Sequence, residues 1–315
     1  MSRRTFVLTA LAAGAALNTG LLDTAQAAGA PAFRMQRLQF NGFVINLRVP
    51  EGLREPTRAL ALLWVRRSAD AVHGYFNRFP VDPLDLRLVL LDGGVVRGGF
   101  TSVEEDAPFV RVGVGKQTSH AQFFSDWILV HEMVHLAVPR ILRKHNWLHE
   151  GLATYVEGVA RTRAGIVSAA VFWGELASAM PRGLPQEGDQ GLDHTHTWGR
   201  TYWGGAMFCL LADVRIRTLS NNQLGLQHAL QGVLAAGGSY AVEWPVERLL
   251  QTADLATGHT VLMDLYAQAK DTPMPVDLPA LWAELGVSPM PSTGKDAAPL
   301  NDAAPLAQVR RAIAS

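Results

Sequence analysis

The sequence predicts an α+β protein, with a small sheet-bearing lobe followed by a mostly helical one. Two observations predict it. Residues 33–115 carry short apolar runs punctuated by Asn-Gly and Gly-Gly pairs, whereas from residue 120 to about 285 apolar side chains recur at helical spacing. A chain of 315 residues, 48% hydrophobic and 18% charged, can bury a sizeable core. With 28 basic and 28 acidic side chains its formal net charge is zero, which gives no electrostatic case for a nucleic-acid partner.

Residues 1–27 read as an export signal. Arg3 and Arg4 head a moderately apolar stretch, and Ala25-Gln26-Ala27 forms an A-x-A cleavage site before Ala28. A membrane anchor is the alternative, but Thr9, Gly14, Asn18 and Gly20 interrupt the apolar run. The head "SRRTFV" resembles the twin-arginine signal, which implies a bacterial periplasmic or secreted protein with no membrane segment in its mature form. Cys209 is the single cysteine, so no internal disulfide forms; it sits in an apolar run as a small core residue.

From residue 33 the elements follow in order. "FRMQRLQFNGFVINLRVP" alternates around Asn41-Gly42 and reads as a hairpin. Residues 57–79 have helical periodicity, "LDLRLVLLD" reads as a buried strand, and Gly93-Gly94 turns it into "VVRGGFTS". "PFVRVGVG" is a further strand, and a helix begins near Ser119 or His120. The sheet-bearing lobe is expected to span 33–138 and the helical lobe 139–288. The Ala- and Pro-rich stretch 289–315 reads as a mobile tail with room for a short terminal helix.

The chemistry concentrates in "HEMVHLAVPRILRKHNWLHEGLATYVE", residues 131–157. With 123–138 taken as one buried helix, His131 and His135 stack on the same face and can reach one Zn²⁺ through a ring nitrogen each. Glu132 is rotated by roughly 100° from His131, away from the ligand plane and toward a water held by the metal. Pro139 ends that helix, and Asn146 is the expected N-cap of the next. The loop between them is long enough to reverse direction and return Glu150 to the metal. Two imidazoles and one carboxylate leave a fourth position open, as in a catalytic zinc site.

The segments "HEMVH" and "WLHEGLATYVE" resemble the gluzincin metallopeptidases, most closely the M1-type zinc aminopeptidases and the glycyl aminopeptidases. Those families place the third zinc ligand in a W-L-x-E-G-x-A-x-Y segment, matched by Trp147, Leu148, Glu150, Gly151, Ala153 and Tyr155. A third segment, "RTYWGGAMFCLLADVRIR" (200–217), resembles the family helix that opens with an oxyanion-binding tyrosine, which falls on Tyr202. The resemblance implies a thermolysin-like catalytic domain with the active-site helix between its lobes. It implies an aminopeptidase-like zinc peptidase in which Glu132 and Tyr202 are catalytic, and His131, His135 and Glu150 bind the metal.

The chain also departs from the family. Gly204 stands where the family has a lysine, and no G-x-M-E-N amine-binding strand precedes the zinc helix. Glu104 and Glu105 read as a solvated turn or, alternatively, an amine anchor, so endopeptidase action stays open. A non-catalytic scaffold of the same fold is the other alternative, although it would need neither Glu132 nor Tyr202. Thr154 and Glu157 are candidates to orient the imidazoles, while His145 and His149 are not assigned to zinc. His194 and His196 read as loop residues or cleft lining, and Trp198 and Trp203 as core or pocket wall.

Overall fold

The computed structural model describes residues 32–289 and 297–315; the expected export signal lies outside them. The described residues from Phe33 onward form one compact unit. Strands β1 (Phe33–Gln39) and β2 (Val44–Pro50) form the expected antiparallel hairpin, with Gly42 at φ 89° in the left-handed region that the turn needs. Helix α1 (Thr57–Phe76) crosses to β3 (Leu84–Leu91), which runs parallel to β2. Strands β4 (Val96–Glu104) and β5 (Ala107–Gly115) complete a mixed five-stranded sheet in the order β1-β2-β3-β5-β4. β4 is therefore an edge strand.

Strand β3 was expected to be buried, but only alternate residues are: Leu84, Leu86 and Leu88 face the core, and Val89 is exposed. That follows from helices covering one face of the sheet only. Trp64, Val65 and Val72 of α1 join Ile45, Leu47, Val110 and Val112 of the sheet in a single core. Burying each such side chain stabilises the fold by about 1.5–3 kcal/mol.

Next come α2 (His120–Phe124) and α3 (Ile128–His135). The sequence reading of 123–138 as one helix is corrected at both ends. Asp126 accepts the Leu129 N–H at 3.1 Å and the Trp64 Nε1–H at 3.1 Å, so its carboxylate starts a fresh helix after α2. After His135 the bonding tightens to three-residue steps, with Leu136, Ala137 and Val138 bonding back to Met133, Val134 and His135.

Helix α4 (Asn146–Arg163) follows a short 3₁₀ turn at Arg143–His145. Asn146 is thus the first helical residue rather than a cap; the turn delivers the chain into α4 without a side-chain cap. The remainder is helical: α5 (Ala169–Ala179), a π-helical turn at Arg200–Gly204, then α6 (Gly205–Leu219), α7 (Leu226–Ala235), α8 (Val246–Thr257), α9 (Val261–Ala269) and α10 (Leu278–Leu285). Residues 297–315 of the expected tail are among those described, and they include a short terminal helix. There α11 (Ala307–Ala314) docks on the helical side, Arg310 donates to Gly286 O at 2.8 Å, and Arg163 of α4 donates to Ile313 O at 2.9 Å. Among the described residues, no helix is long and apolar enough to cross a membrane.

Helices α4 and α6 cross with almost no space between backbones. A Cβ on Gly151 would overlap the backbone of Gly205, and one on Gly205 would overlap Trp147 O. Replacing Gly151 by Ala gains about 1 kcal/mol of helix propensity. Pushing two packed helices apart costs more, because backbone atoms cannot rotate aside. Gly151→Ala is expected to lose about 2 kcal/mol or more in urea unfolding, whereas Gly74→Ala, with open space around its Cβ position on α1, should gain about 0.5–1 kcal/mol.

Burial raises the Asp126 carboxyl to about 6, against the opposing pull of the Leu129 and Ile128 N–H groups, Trp64 and Arg161. A raised folded-state pKa means stability present at low pH and lost as pH rises through about 6. Asp126→Asn should remove that loss. Its stability relative to wild type is expected to improve by on the order of 3 kcal/mol between pH 4 and pH 7, read from urea midpoints.

Candidate metal centre

His131 and His135 lie on α3, both at most 8% exposed, and Glu150 lies one turn into α4. Their ligating atoms all fall within 4.8 Å of one another. Glu150 Oε2 is 3.2 Å from His131 Nε2 and 3.6 Å from His135 Nε2. A tetrahedral ion with bonds of about 2.0–2.1 Å separates its ligands by about 3.3–3.4 Å, so the donor spacing suits zinc. Two buried imidazole nitrogens and a half-buried carboxylate this close repel each other unless a proton or a cation lies between them, and this donor set is the kind zinc takes.

The electrostatics agree. Burial alone would lower the His135 pKa, but Glu150 and Glu132 outweigh it and hold it above the ordinary value. Burial would raise the Glu150 pKa, yet His135 and His131 pull it far below the carboxylate range. Glu150 is therefore an anion facing two imidazoles.

The α4 motif residues have separate structural duties. Trp147 Nε1–H donates to Asp193 Oδ1 at 2.8 Å, where His145 Nδ1 also lies at 2.8 Å and Tyr266 O–H donates to Oδ2 at 2.9 Å. Tyr155 O–H donates to Asp213 Oδ2 at 2.9 Å, and Arg217 Nε–H donates to Oδ1 at 2.8 Å. These two buried carboxylates tie both ends of the motif to the helical body. His145 thus serves the Asp193 hub.

Glu132 lies on the β4 side of α3. Its Oε2 accepts the Thr101 hydroxyl at 2.7 Å, with Glu132 O 2.9 Å from the same hydroxyl. Gly99 leaves the room, since a Cβ there would overlap Glu132 and Ile128. Tyr202, in the π-helical turn, stacks over His131 with ring centroids 6.3 Å apart and directs its hydroxyl to Glu150. Burial first, then Glu150 and Glu132, push the phenol well above its ordinary pKa, so it stays a proton donor. Trp198 stacks on Tyr202 at 5.8 Å and is 44% exposed; Trp127, 47% exposed, meets His131 edge-on at 5.5 Å. Trp198 is therefore at the site, whereas Trp203 is half-buried against the core.

Other candidates lie elsewhere. Glu157 pairs with Arg161 at 2.9 Å, and half-buried Thr154 makes no side-chain hydrogen bond among the described residues. Glu104 pairs with Arg87, and Glu105 turns the β4–β5 hairpin at φ 50°. His194 meets Asp271 at 3.0 Å in an exposed loop, which His196 shares. At Gly204 an added Cβ would meet Arg200, Leu192 and Gly183 at 3.1–3.3 Å, so the lysine of the resembling family would be tight here and would need these neighbours to give by a few tenths of an ångström.

Sequence reasoning missed three contributors. Thr101 gives no signal in an ordinary strand. Tyr240, far along the chain, donates its hydroxyl to Thr101 O at 3.1 Å. His149 stands 3.1 Å from His135, Nδ1 to Nδ1, and its Nε2 is 2.8 Å from Pro139 O. Burial lowers the His149 pKa to about 4, with His135 adding to the effect.

No protein-family model matches the chain, and no curated protein matches it in sequence. Solved structures do match in fold. An aminopeptidase N family protein from Idiomarina loihiensis superposes with a TM-score of 0.62 at 13% identity, covering 81% of this chain and 49% of that one. An M1 zinc metallopeptidase from Deinococcus radiodurans, bound to a Tyr-Ser-Ala substrate, gives 0.49 at 13% identity over 78% of this chain and 53% of that one. The chain spans about half the length of the Idiomarina protein. At 13% identity the property shared with the Idiomarina protein is the fold, which in this chain is an α+β arrangement of a five-stranded mixed sheet followed by helices.

Proposed function

We propose that this chain is an exported zinc peptidase that hydrolyses peptide bonds in an aminopeptidase-like manner. One observation carries the reading: two imidazoles and a carboxylate converge on one point, with an unligated glutamate and a phenol on its rim. A zinc ion there would supply Lewis acidity and an acidified water. Glu132, anchored by Thr101, accepts a proton from the water attacking the carbonyl and returns it to the leaving amine. Tyr202 remains protonated and donates to the developing oxyanion. Trp127 and Trp198 offer aromatic surface beside the cleaved bond. A non-catalytic scaffold would need neither Glu132 nor Tyr202 at this position, which favours the enzyme. The paired arginines and A-x-A site at the N-terminus support export.

A second reading, endopeptidase action, draws on a specific observation. The two glutamates considered as a substrate-amine anchor are engaged otherwise: Glu104 with Arg87, and Glu105 in a tight turn.

Zinc-loaded protein is expected to cleave fluorogenic peptides, and to stop when a chelator strips the metal. Glu132→Gln should lower kcat by about 10²–10⁴ and Tyr202→Phe by about 10²–10³. Thr101→Val should cost about tenfold, one charge-assisted hydrogen bond to the base. Comparing N-acetylated with free-amine peptides separates the two peptidase readings. A zinc-loaded sample that cleaves nothing across a broad library, with Glu132→Gln indistinguishable from it, contradicts both.

A further inference from the structure

His149 sits beside the proposed ligand Glu150 in sequence but faces the other ligand helix. Its two ring nitrogens have different partners. Nε2 lies 2.8 Å from Pro139 O, a backbone carbonyl that can only accept, so Nε2 carries a proton. In the neutral ring Nδ1 is then a lone pair. That lone pair lies 3.1 Å from His135 Nδ1, and a contact between two nitrogens needs one proton, which must belong to His135. His135 is left with its lone pair on Nε2, the atom turned toward Glu150 at 3.6 Å.

We infer that His149 is a positioning residue that holds His135 as the Nδ1–H tautomer and aims its Nε2 lone pair at the metal position. This rests on the zinc reading above.

The surroundings lock the relay in place. His149 is 7% exposed, its ring lies at 28° to that of His135, and the Tyr240 ring closes its other side edge-on with centroids 5.7 Å apart. Tyr240 also bonds to Thr101, which holds Glu132. Pro139 O is within reach because the chain tightens after His135. His131 has no such support: its Nδ1 is buried without a hydrogen-bond partner among the described residues. The two imidazoles are therefore unequal, and His135 is the one oriented before any metal arrives.

The test compares full-length wild type, His149→Leu and His149→Asn for Zn²⁺ affinity, by competition with a chromophoric chelator at one pH. Leucine removes the acceptor and should weaken zinc binding about 10–100-fold. The Asn side-chain oxygen stands about where His Nδ1 stood, so His149→Asn should stay within about threefold of wild type. Circular dichroism of the metal-free proteins checks that each variant folds. A readout without substitutions is the long-range ¹H–¹⁵N spectrum of zinc-loaded wild type, which should show His135 protonated at Nδ1 and His149 at Nε2. His149→Leu binding zinc as tightly as wild type, or the opposite protonation pattern, overturns this inference while leaving the metal reading intact. Asn failing as badly as Leu, with both folded, overturns the acceptor role. Wild type that takes up no zinc overturns both readings together.

Discussion

The crossing of α4 over α6, Gly151 against Gly205, sets where the N-terminal part of α4 lies, and with it His149 and Glu150. A carboxylate can complete a metal site built by α3 only if its helix returns to within bonding distance, and a shift of even 1 Å would open the triangle. The helices are held by more than glycine contact. Asp193 grips Trp147 before the ligand and Asp213 grips Tyr155 after it, so Glu150 lies between two buried anchors. Each anchor is a desolvated carboxylate with several donors, the condition under which a buried charge is tolerated.

The same logic runs on the β4 side. An edge strand has unpaired backbone along one side, and here it also presents Thr101 to Glu132 while Gly99 makes room for the carboxylate. The glutamate thus faces the strand and the imidazoles face α4, so one short helix separates the proposed base from the proposed ligands. Tyr202 reaches the centre from a π-helical turn. The extra residue in that turn rotates its neighbours relative to an α-helix, and such turns cluster at functional sites.

Much of this was legible in the sequence because it rests on local spacing. A four-residue step between histidines, a proline after them, and a loop long enough to reverse direction required only helix geometry, and the structure brings His131, His135 and Glu150 together. The hairpin at Asn41-Gly42 was equally local. What could not be read depends on contacts between distant segments. Asp126 breaking the expected helix, Tyr240 reaching Thr101, and α11 docking on α4 link residues separated by dozens of positions. His149 was set aside because a helical neighbour of Glu150 points away from the metal. In the structure its Nδ1 meets the Nδ1 of His135 on the facing helix.

The central claim is that His131, His135 and Glu150 share one divalent ion. Anomalous diffraction at the zinc edge from crystals grown with zinc tests it most directly. The account predicts one strong peak per chain, about 2.0–2.2 Å from an imidazole nitrogen of each histidine and an oxygen of Glu150. A peak elsewhere, or Glu150 turned away from the metal while both histidines bind it, would contradict it.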